Sequence, residues 1–415
     1  MNGDNIDYAK AIWKYRIFVI SLMLVIYIIF SVLLILNAFI LKSQFEWQRW
    51  QGDNEMDFSQ FSCFIPETNG FDVNGINTFR NDVMKKLSEA SIDITHKPFV
   101  DCWSTEGRAL VVSGKAHCTA AVTAIGGSFF DFHPLKLLSG SYISEDDMLK
   151  DSVVLDEDLA WFLFGGTDLS GLSIKVNGLT LMVTGVVQRE QDYASKEAYS
   201  GSMGLFMNMA TYEDMLKYGT PIDEYAASIE NVVGQDDSKD SEETSKPSLN
   251  EANAAVTCYE ICLPNPVKNF AYNVMQEKFP IKGGVITENS HRFTFGKTFS
   301  RIWKGAKRTM QDGVPRPYWE NAAIYAESRA SGYLVTALAA TLIPVNALIS
   351  WFARGLIYQK QLLENDYIPG WKENIEEKVR QRQRKRWESQ YEKITGHKPK
   401  DADDYYDYGE SDFNR

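Results

Sequence analysis

Histidine and cysteine are scarce in this sequence, five of each in 415 residues, and neither type is arranged as a metal or catalytic motif. There is no C-x2-C pair and no His-x3-His partner, which argues against a zinc site. The histidines (His96, His117, His133, His291, His397) are scattered, and no Gly-x-Ser-x-Gly elbow accompanies them. His117 beside Cys118 is the nearest approach to a nucleophile–base pair, but neighbours in a strand point to opposite faces. Glu145, Asp146 and Asp147 read as a solvated loop or helix start. Gly296-Lys297-Thr298 lacks the glycine a phosphate-binding loop needs five residues earlier, where His291 stands. No enzyme activity, cofactor or metal is expected. Positive charge is also in deficit: the formal net charge is −12, which argues against a nucleic-acid ligand.

Charge is entirely missing from two long stretches. Residues 17–41 (IFVISLMLVIYIIFSVLLILNAFIL) and residues 330–353 (ASGYLVTALAATLIPVNALISWFA) are apolar runs of 25 and 24 residues. At about 1.5 Å per residue the first makes a helix roughly 37 Å long, enough to span a hydrocarbon core of about 30 Å with tilt. The first run is too long for a signal-peptide core, and no small-x-small site follows Leu41, so an anchor is expected. Lys10, Lys14 and Arg16 precede the first run, and Arg354, Lys360 and the segment 378–386 (KVRQRQRKR) follow the second. Basic residues flank the cytoplasmic ends of membrane helices. Both termini (1–16 and 354–415) are therefore expected inside, and residues 42–329 outside the plasma membrane. Trp13 and Trp351 occupy interfacial positions.

The regional charge is +1 for residues 1–16, zero for 354–415 and −13 for the segment between the runs, tails and runs aside. That segment is long enough for a substantial core, organised as two subdomains. All five cysteines (Cys63, Cys102, Cys118, Cys258, Cys262) lie in it, and the odd number leaves at least one without an intrachain disulfide partner. Cys258 and Cys262, four apart in a strand, would be about 13 Å from each other, too far for a mutual disulfide. Bridges to other cysteines and plain core packing both stay open.

Periodicity organises the middle. Residues 42–58 read as a stalk continuing the first membrane helix. A strand at 59–66, a helix at 74–91 with Ile76, Phe79, Val83, Met84 and Leu87 at helical spacing, and a strand at 98–103 follow. Strands at 108–112 and 116–125, set off by glycine-containing turns, open a β-rich lobe over about 108–229. Within it lie a strand at 152–156, a helix at 157–164 stopped by Gly165-Gly166, and a hairpin at 172–187 turned by Asn177-Gly178. Residues 234–254 are acidic and serine-rich and should be a disordered loop. A strand at 255–263, a helix at 266–279 and a strand at 284–288 complete a second β-α-β unit. The fold class expected is an α+β ectodomain, a split ferredoxin-like βαβ lobe with an inserted β-rich lobe, between two transmembrane helices.

The stretch from Gly126 to Val187 carries a series of landmarks. Phe129-Phe130 are followed by Leu137-Leu138-Ser139-Gly140, then Val153-Val154-Leu155 with Ala160, Leu163-Phe164-Gly165-Gly166, Gly171, and Val183-Thr184-Gly185-Val186-Val187. In order and spacing it resembles the MacB-like periplasmic core domain of ABC transporter permeases, the FtsX-like permease family. Ser141 departs from the arginine usual after that glycine. The resemblance implies a first membrane helix before the core domain, a βαβ-based lobe and a β-rich inserted lobe. It also implies three further membrane helices, of which this sequence has one. Structural roles are expected for Phe129, Phe130, Gly140, Phe164, Gly165, Gly166, Gly171 and Gly185.

The second apolar run contrasts with the bulky first one. Gly332, Thr336, Ala339, Ala340, Thr341, Pro344, Asn346 and Ala347 are candidates for close helix packing, against the first helix or a partner subunit. Pro344 can kink the helix. The basic cluster Lys378, Arg380, Arg382, Arg384, Lys385 and Arg386 falls in a helical stretch over 374–394, suited to anionic lipid, to an ATPase subunit or simply to solvent. The reading reached is a membrane-anchored subunit of an ABC-type transporter or mechanotransmission complex, partnered by a separate ATPase subunit and an FtsX-like permease subunit. A stand-alone extracellular binding or sensing module with a protein or peptide ligand, signalling through its tail, is the alternative; regulation of a cell-wall hydrolase is a third.

Overall fold

A computed structural model describes residues 3–52, 56–93, 97–199, 201–233, 254–279, 283–304, 314–363 and 368–398. The acidic segment 234–253 and the tyrosine-rich end after 398 lie outside the described residues. The chain divides into two units, one of residues 27–338 and one of residues 1–26 with 339–415.

Helix α1 (Gly3–Ala38) carries the first apolar run. A 3-10 turn (Lys42–Phe45) and α2 (Glu46–Gln51) lead to β1 (Phe58–Phe64), α3 (Val73–Glu89), β2 (Val100–Ser113) and β3 (Ala116–Gly127). There follow α4 (Phe129–Phe132), β4 (Lys136–Gly140), β5 (Ser152–Asp156), α5 (Glu157–Phe164), β6 (Ser173–Val176) and β7 (Leu179–Gln188). Then come α6 (Tyr193–Tyr199), β8 (Gly204–Asn208), α7 (Met209–Tyr218) and α8 (Ile222–Val233). The chain continues through β9 (Cys258–Pro264), α9 (Phe270–Lys278), β10 (Val285–Glu288), α10 (Phe295–Lys304), α11 (Tyr318–Leu362) and α12 (Ile368–Thr395). It is a mixed α+β domain with a long apolar helix near its N-terminus.

The strands form one sheet in the order β10-β1-β9-β2-β3-β8-β5-β7-β4, with β6 bridging β2 and β7. Strand β2 is the spine. Val100–Ser104 pairs with β9, Val111 and Val112 pair with β6, and Cys102–Ser113 pairs with β3. The sequence predicts a turn near Gly107, and here the structure corrects it: β2 runs straight through. Gly107 pairs with Val122, and the Tyr212 hydroxyl packs over its Cα, filling the space of a Cβ. That glycine serves a close approach within a strand.

Each sheet face has its own core. On one, α3 contributes Ile76, Phe79, Val83 and Leu87, joined by α5, α7 and α9. Burying each such side chain stabilises by roughly 1.5–3 kcal/mol. Asp72 caps α3, accepting the Gly75 N–H at 2.9 Å, worth about 1 kcal/mol. On the other face Phe64, Cys102, Phe129, Phe132, Phe206, Cys258 and Cys262 pack beneath Tyr318 and Trp319 from the first turn of α11, with Trp47 and Trp50 of α2 at the edge. The predicted stalk is therefore corrected too. Residues 42–51 fold back as a turn and a short helix, because Leu41 and the two tryptophans pack on the domain and Gln44 accepts from Arg292.

Candidate functional site

The most concentrated chemistry lies where the segment after β10 meets the start of α11. Asn289, Arg292 and Arg301 of α10 converge there with Gln44 and with Glu320 and Glu327. Glu320 and Glu327 are seven residues apart, hence on one face of α11. Arg292 donates to both carboxylate oxygens of Glu320 at 2.6 and 2.7 Å, to Glu327, to Gln44 Oε1 at 3.2 Å and to Asn289 Oδ1 at 3.3 Å. Arg301 of α10 closes on Glu327 from the other side. Two cations meet two anions in near-complete burial: the Arg292 side chain is 3% exposed and Glu320 4%. Burial alone would lower the Arg292 pKa, but the charges of Glu320 and Glu327 outweigh it and hold the guanidinium above its ordinary range. The bidentate fork fixes geometry as well as charge.

The end of α1 is tied to the same helix. Asn37 donates from its side-chain amide to the Ala326 carbonyl at 2.9 Å and accepts from the Tyr193 hydroxyl. Leu41 packs with Ala322, Ala323 and Ala326. Alanines on α11 let the neighbouring backbone approach, which gives Asn37 its reach. Phe30 and Tyr333 meet with ring centroids 5.9 Å apart.

From Arg292 a chain of buried polar groups runs into the sheet. Asn289 donates to Ser62 Oγ at 2.6 Å, and Ser62 donates to Glu260 Oε1 at 2.6 Å. Glu260 Oε2 then meets His133 Nε2 at 2.5 Å. His133 lies against Phe129 and Trp319, and its Nδ1 has no hydrogen-bond partner among the described residues. Cys102 Sγ is 4.0 Å from Glu260. Cys102, His133 and Glu260 are ligand types for a transition metal, with candidate atoms within 4.8 Å of one another. The direct His133–Glu260 contact, however, leaves no room for an ion between them, and burial pushes the Cys102 thiol well above its ordinary pKa. As it stands the trio is a buried core cluster closed by the His133–Glu260 contact. Within the described residues the five cysteines are free thiols, four of them buried.

A cavity of about 390 Å³ opens beside these elements, lined by Glu106, Arg108, Arg189, Tyr199, Ser202 and Asn321 among others. Arg189 is held there by Asp156 at 3.1 Å and by the rings of Tyr199 and Tyr318. Asp156 also caps α5 and accepts the Gly204 N–H at 2.6 Å. Burial pushes its carboxyl up to about 6 against the pull of Arg189.

The residues singled out by sequence separate into groups. Phe129 is buried and Phe130 half-buried in the second core, each in ring contact with Phe206. Gly140 and Gly185 are cross-strand partners, and a Cβ on either would strike backbone oxygen, at 2.0 Å from Thr184 O and 2.4 Å from Ser141 O. Phe164 packs on the first core, Gly165 ends α5 in the left-handed region, Gly171 also has positive φ, and Gly166 has open space. Gly296 and Lys297 begin α10, where Lys297 bonds Glu288 at 3.0 Å and the Ser290 carbonyl at 3.1 Å.

On α11, within the unit of residues 27–338, the buried face is Ala330, Leu334 and Ala337, while Gly332 is exposed and Thr336 bonds back to the Gly332 carbonyl. In the other unit Ala340 and Pro344 are buried, Thr341 and Ala347 half-buried, and Ala339 and Asn346 exposed. The eight packing candidates thus divide between two faces. Lys378, Arg380, Arg382, Arg384, Lys385 and Arg386 are exposed on α12, with Arg380 and Arg384 paired to Glu376 and Glu388 one turn away.

Sequence reasoning did not single out Arg292, Asn37, Glu320 or Glu327. A seven-residue carboxylate repeat just before an apolar run, and a lone asparagine at the end of another, are the signals that could have found three of them.

The family described as the MacB-like periplasmic core domain matches residues 17–245. Among solved structures, the periplasmic region of MacB from Actinobacillus actinomycetemcomitans is similar at 16% identity and a TM-score of 0.34. The match covers 58% of this chain and 92% of that one. The extracellular domain of the ABC-type transporter YknZ from Gram-positive bacteria is similar at 10% identity and a TM-score of 0.32, covering 55% of this chain and 99% of that one. No curated protein matches the chain.

Proposed function

Since the chain belongs to the MacB-like periplasmic core domain family, a family of transporter components rather than enzymes, we propose that it is a membrane-anchored subunit of an ABC-type transporter or mechanotransmission complex. Its domain 42–329 stands outside the plasma membrane and passes movement between that side and the membrane helices. The observation that carries this reading is the buried charge network. Arg292 and Arg301 hold Glu320 and Glu327 of α11, and Asn37 of α1 bonds α11 directly, so sheet and helix bases move together.

The proposed topology has two spans, residues 17–41 and 330–353, with both termini cytoplasmic. Helices α1 and α11 are each long and apolar enough to cross a membrane, and the basic residues at the ends toward the chain termini favour that orientation. The proposed lobes are a split ferredoxin-like unit, supported by the order β10-β1-β9-β2 with α3 and α9 as crossovers, and an insertion between β2 and β9. Partners in this reading are a separate ATPase subunit and an FtsX-like permease subunit. The exposed Gly332, Ala339 and Asn346 are available for packing against the latter, and the basic cluster of α12 for the former or for anionic lipid.

Copurification tests the partner reading: detergent-extracted protein should bring down an ATPase and an FtsX-like subunit, and recovery of neither sinks it. A membrane-impermeant maleimide tests the topology. With Cys118 replaced by serine, since the other four thiols are buried, it should label Met148→Cys in intact cells and Ile394→Cys only after permeabilisation; the reverse pattern refutes the orientation.

A further inference from the structure

Helix α10 has two faces, and the domain uses only one. Lys297 bonds Glu288 and Ser290, Arg301 closes on Glu327, and Thr298 is buried. On the far side Phe295, Phe299 and Trp303 recur every four residues and stack on one another, with centroids 6.2 and 6.3 Å apart. They are 63%, 46% and 85% exposed, an apolar ladder that water solvates poorly and that no other element covers within the described residues.

We infer that α10 is an interfacial helix whose Phe295–Phe299–Trp303 face inserts into the outer leaflet at the boundary of headgroups and acyl chains. The occupant follows from where the helix is pinned. Arg301 holds Glu327, which lies three residues, about 4.5 Å of helix rise, before the uncharged run that begins at Ala330. The interfacial zone on each side of a hydrocarbon core is about 5–7 Å deep, so α10 lies at its level. Basic residues toward the protein and aromatic rings away from it form the pattern of a helix lying in that zone. Phe39, 66% exposed and stacked on Phe45 at 5.7 Å, marks the same level at the end of α1. The inference rests on the two-span reading proposed above.

Spin labels on the full chain in proteoliposomes separate the two ideas. Cys118 is replaced by serine, since the other four thiols are buried, and single labels are placed by Phe299→Cys, Trp303→Cys, Val335→Cys and Met148→Cys. Collision with oxygen, relative to collision with a water-soluble nickel chelate, should be high at 299, 303 and 335 and low at 148. A high ratio at 335 with ratios at 299 and 303 as low as at 148 overturns the interfacial helix and leaves the span standing. A low ratio at 335 overturns both.

Discussion

Replacing Arg292 with methionine tests whether the charge network holds the domain to α11. The substitution removes both bonds to Glu320, one to Glu327 and those to Gln44 and Asn289. Arg301 still faces Glu327, so Glu320 is the group left charged and unpartnered at 4% exposure. Breaking one side of such a buried pair costs about 3–5 kcal/mol, with little solvent screening to soften it. At roughly 2–4 °C per kcal/mol for a domain of this size, the melting temperature should fall by ~6–20 °C. The paired change Arg292→Met with Glu320→Met leaves Arg301 and Glu327 to each other and should recover most of the loss, a coupling of at least about 2 kcal/mol. Thermal unfolding of the four proteins in one detergent is the assay. If R292M alone costs under about 1 kcal/mol, or the two single losses simply add, the network is not what joins these elements.

Three further outcomes are expected. Gly185→Ala or Gly140→Ala drives a Cβ into backbone oxygen and should cost about 2–4 kcal/mol, whereas Gly166→Ala should stay within about 0.5 kcal/mol by thermal or denaturant unfolding. Asp156 titrates at about 6 in the folded protein against 3.8 ordinarily. A carboxyl raised on folding contributes fully below its unfolded pKa and loses that contribution as pH rises through the folded value. Relative to Asp156→Asn, wild-type stability should therefore decline between about pH 4 and pH 6, by on the order of 3 kcal/mol; parallel pH profiles would refute this. Finally, Cys118 should be the one thiol to react quickly with a maleimide in the native protein, and all five should react in denaturant; fast native modification of Cys102 or Cys258 would contradict their burial.

Where local chemistry decides structure, the sequence was legible. The Gly165 stop, the Asn177-Gly178 hairpin and the apolar spacing of α3 all appear where patterning puts them. The segment 193–233 was not legible: α6, β8, α7 and α8 lack strong period signals, and β8 becomes a strand by pairing between β3 and β5. The run through Gly107 and the folded-back residues 42–51 depend on Tyr212 and on the second core, partners distant in sequence. The charge network was hidden for the same reason, because Arg292 gains meaning only once Glu320 and Glu327 arrive beside it.

Strand β2 has a mechanical consequence. At about 3.3 Å per residue its fourteen residues form a ribbon roughly 45 Å long, bonded to β3 along nearly its whole length. A hinge between the two halves of the sheet would have to tear that ladder, several backbone bonds at once. The cheap deformation of such a ribbon is twist. A torque applied at one end of the domain would thus arrive at the other as rotation, with little lost to bending.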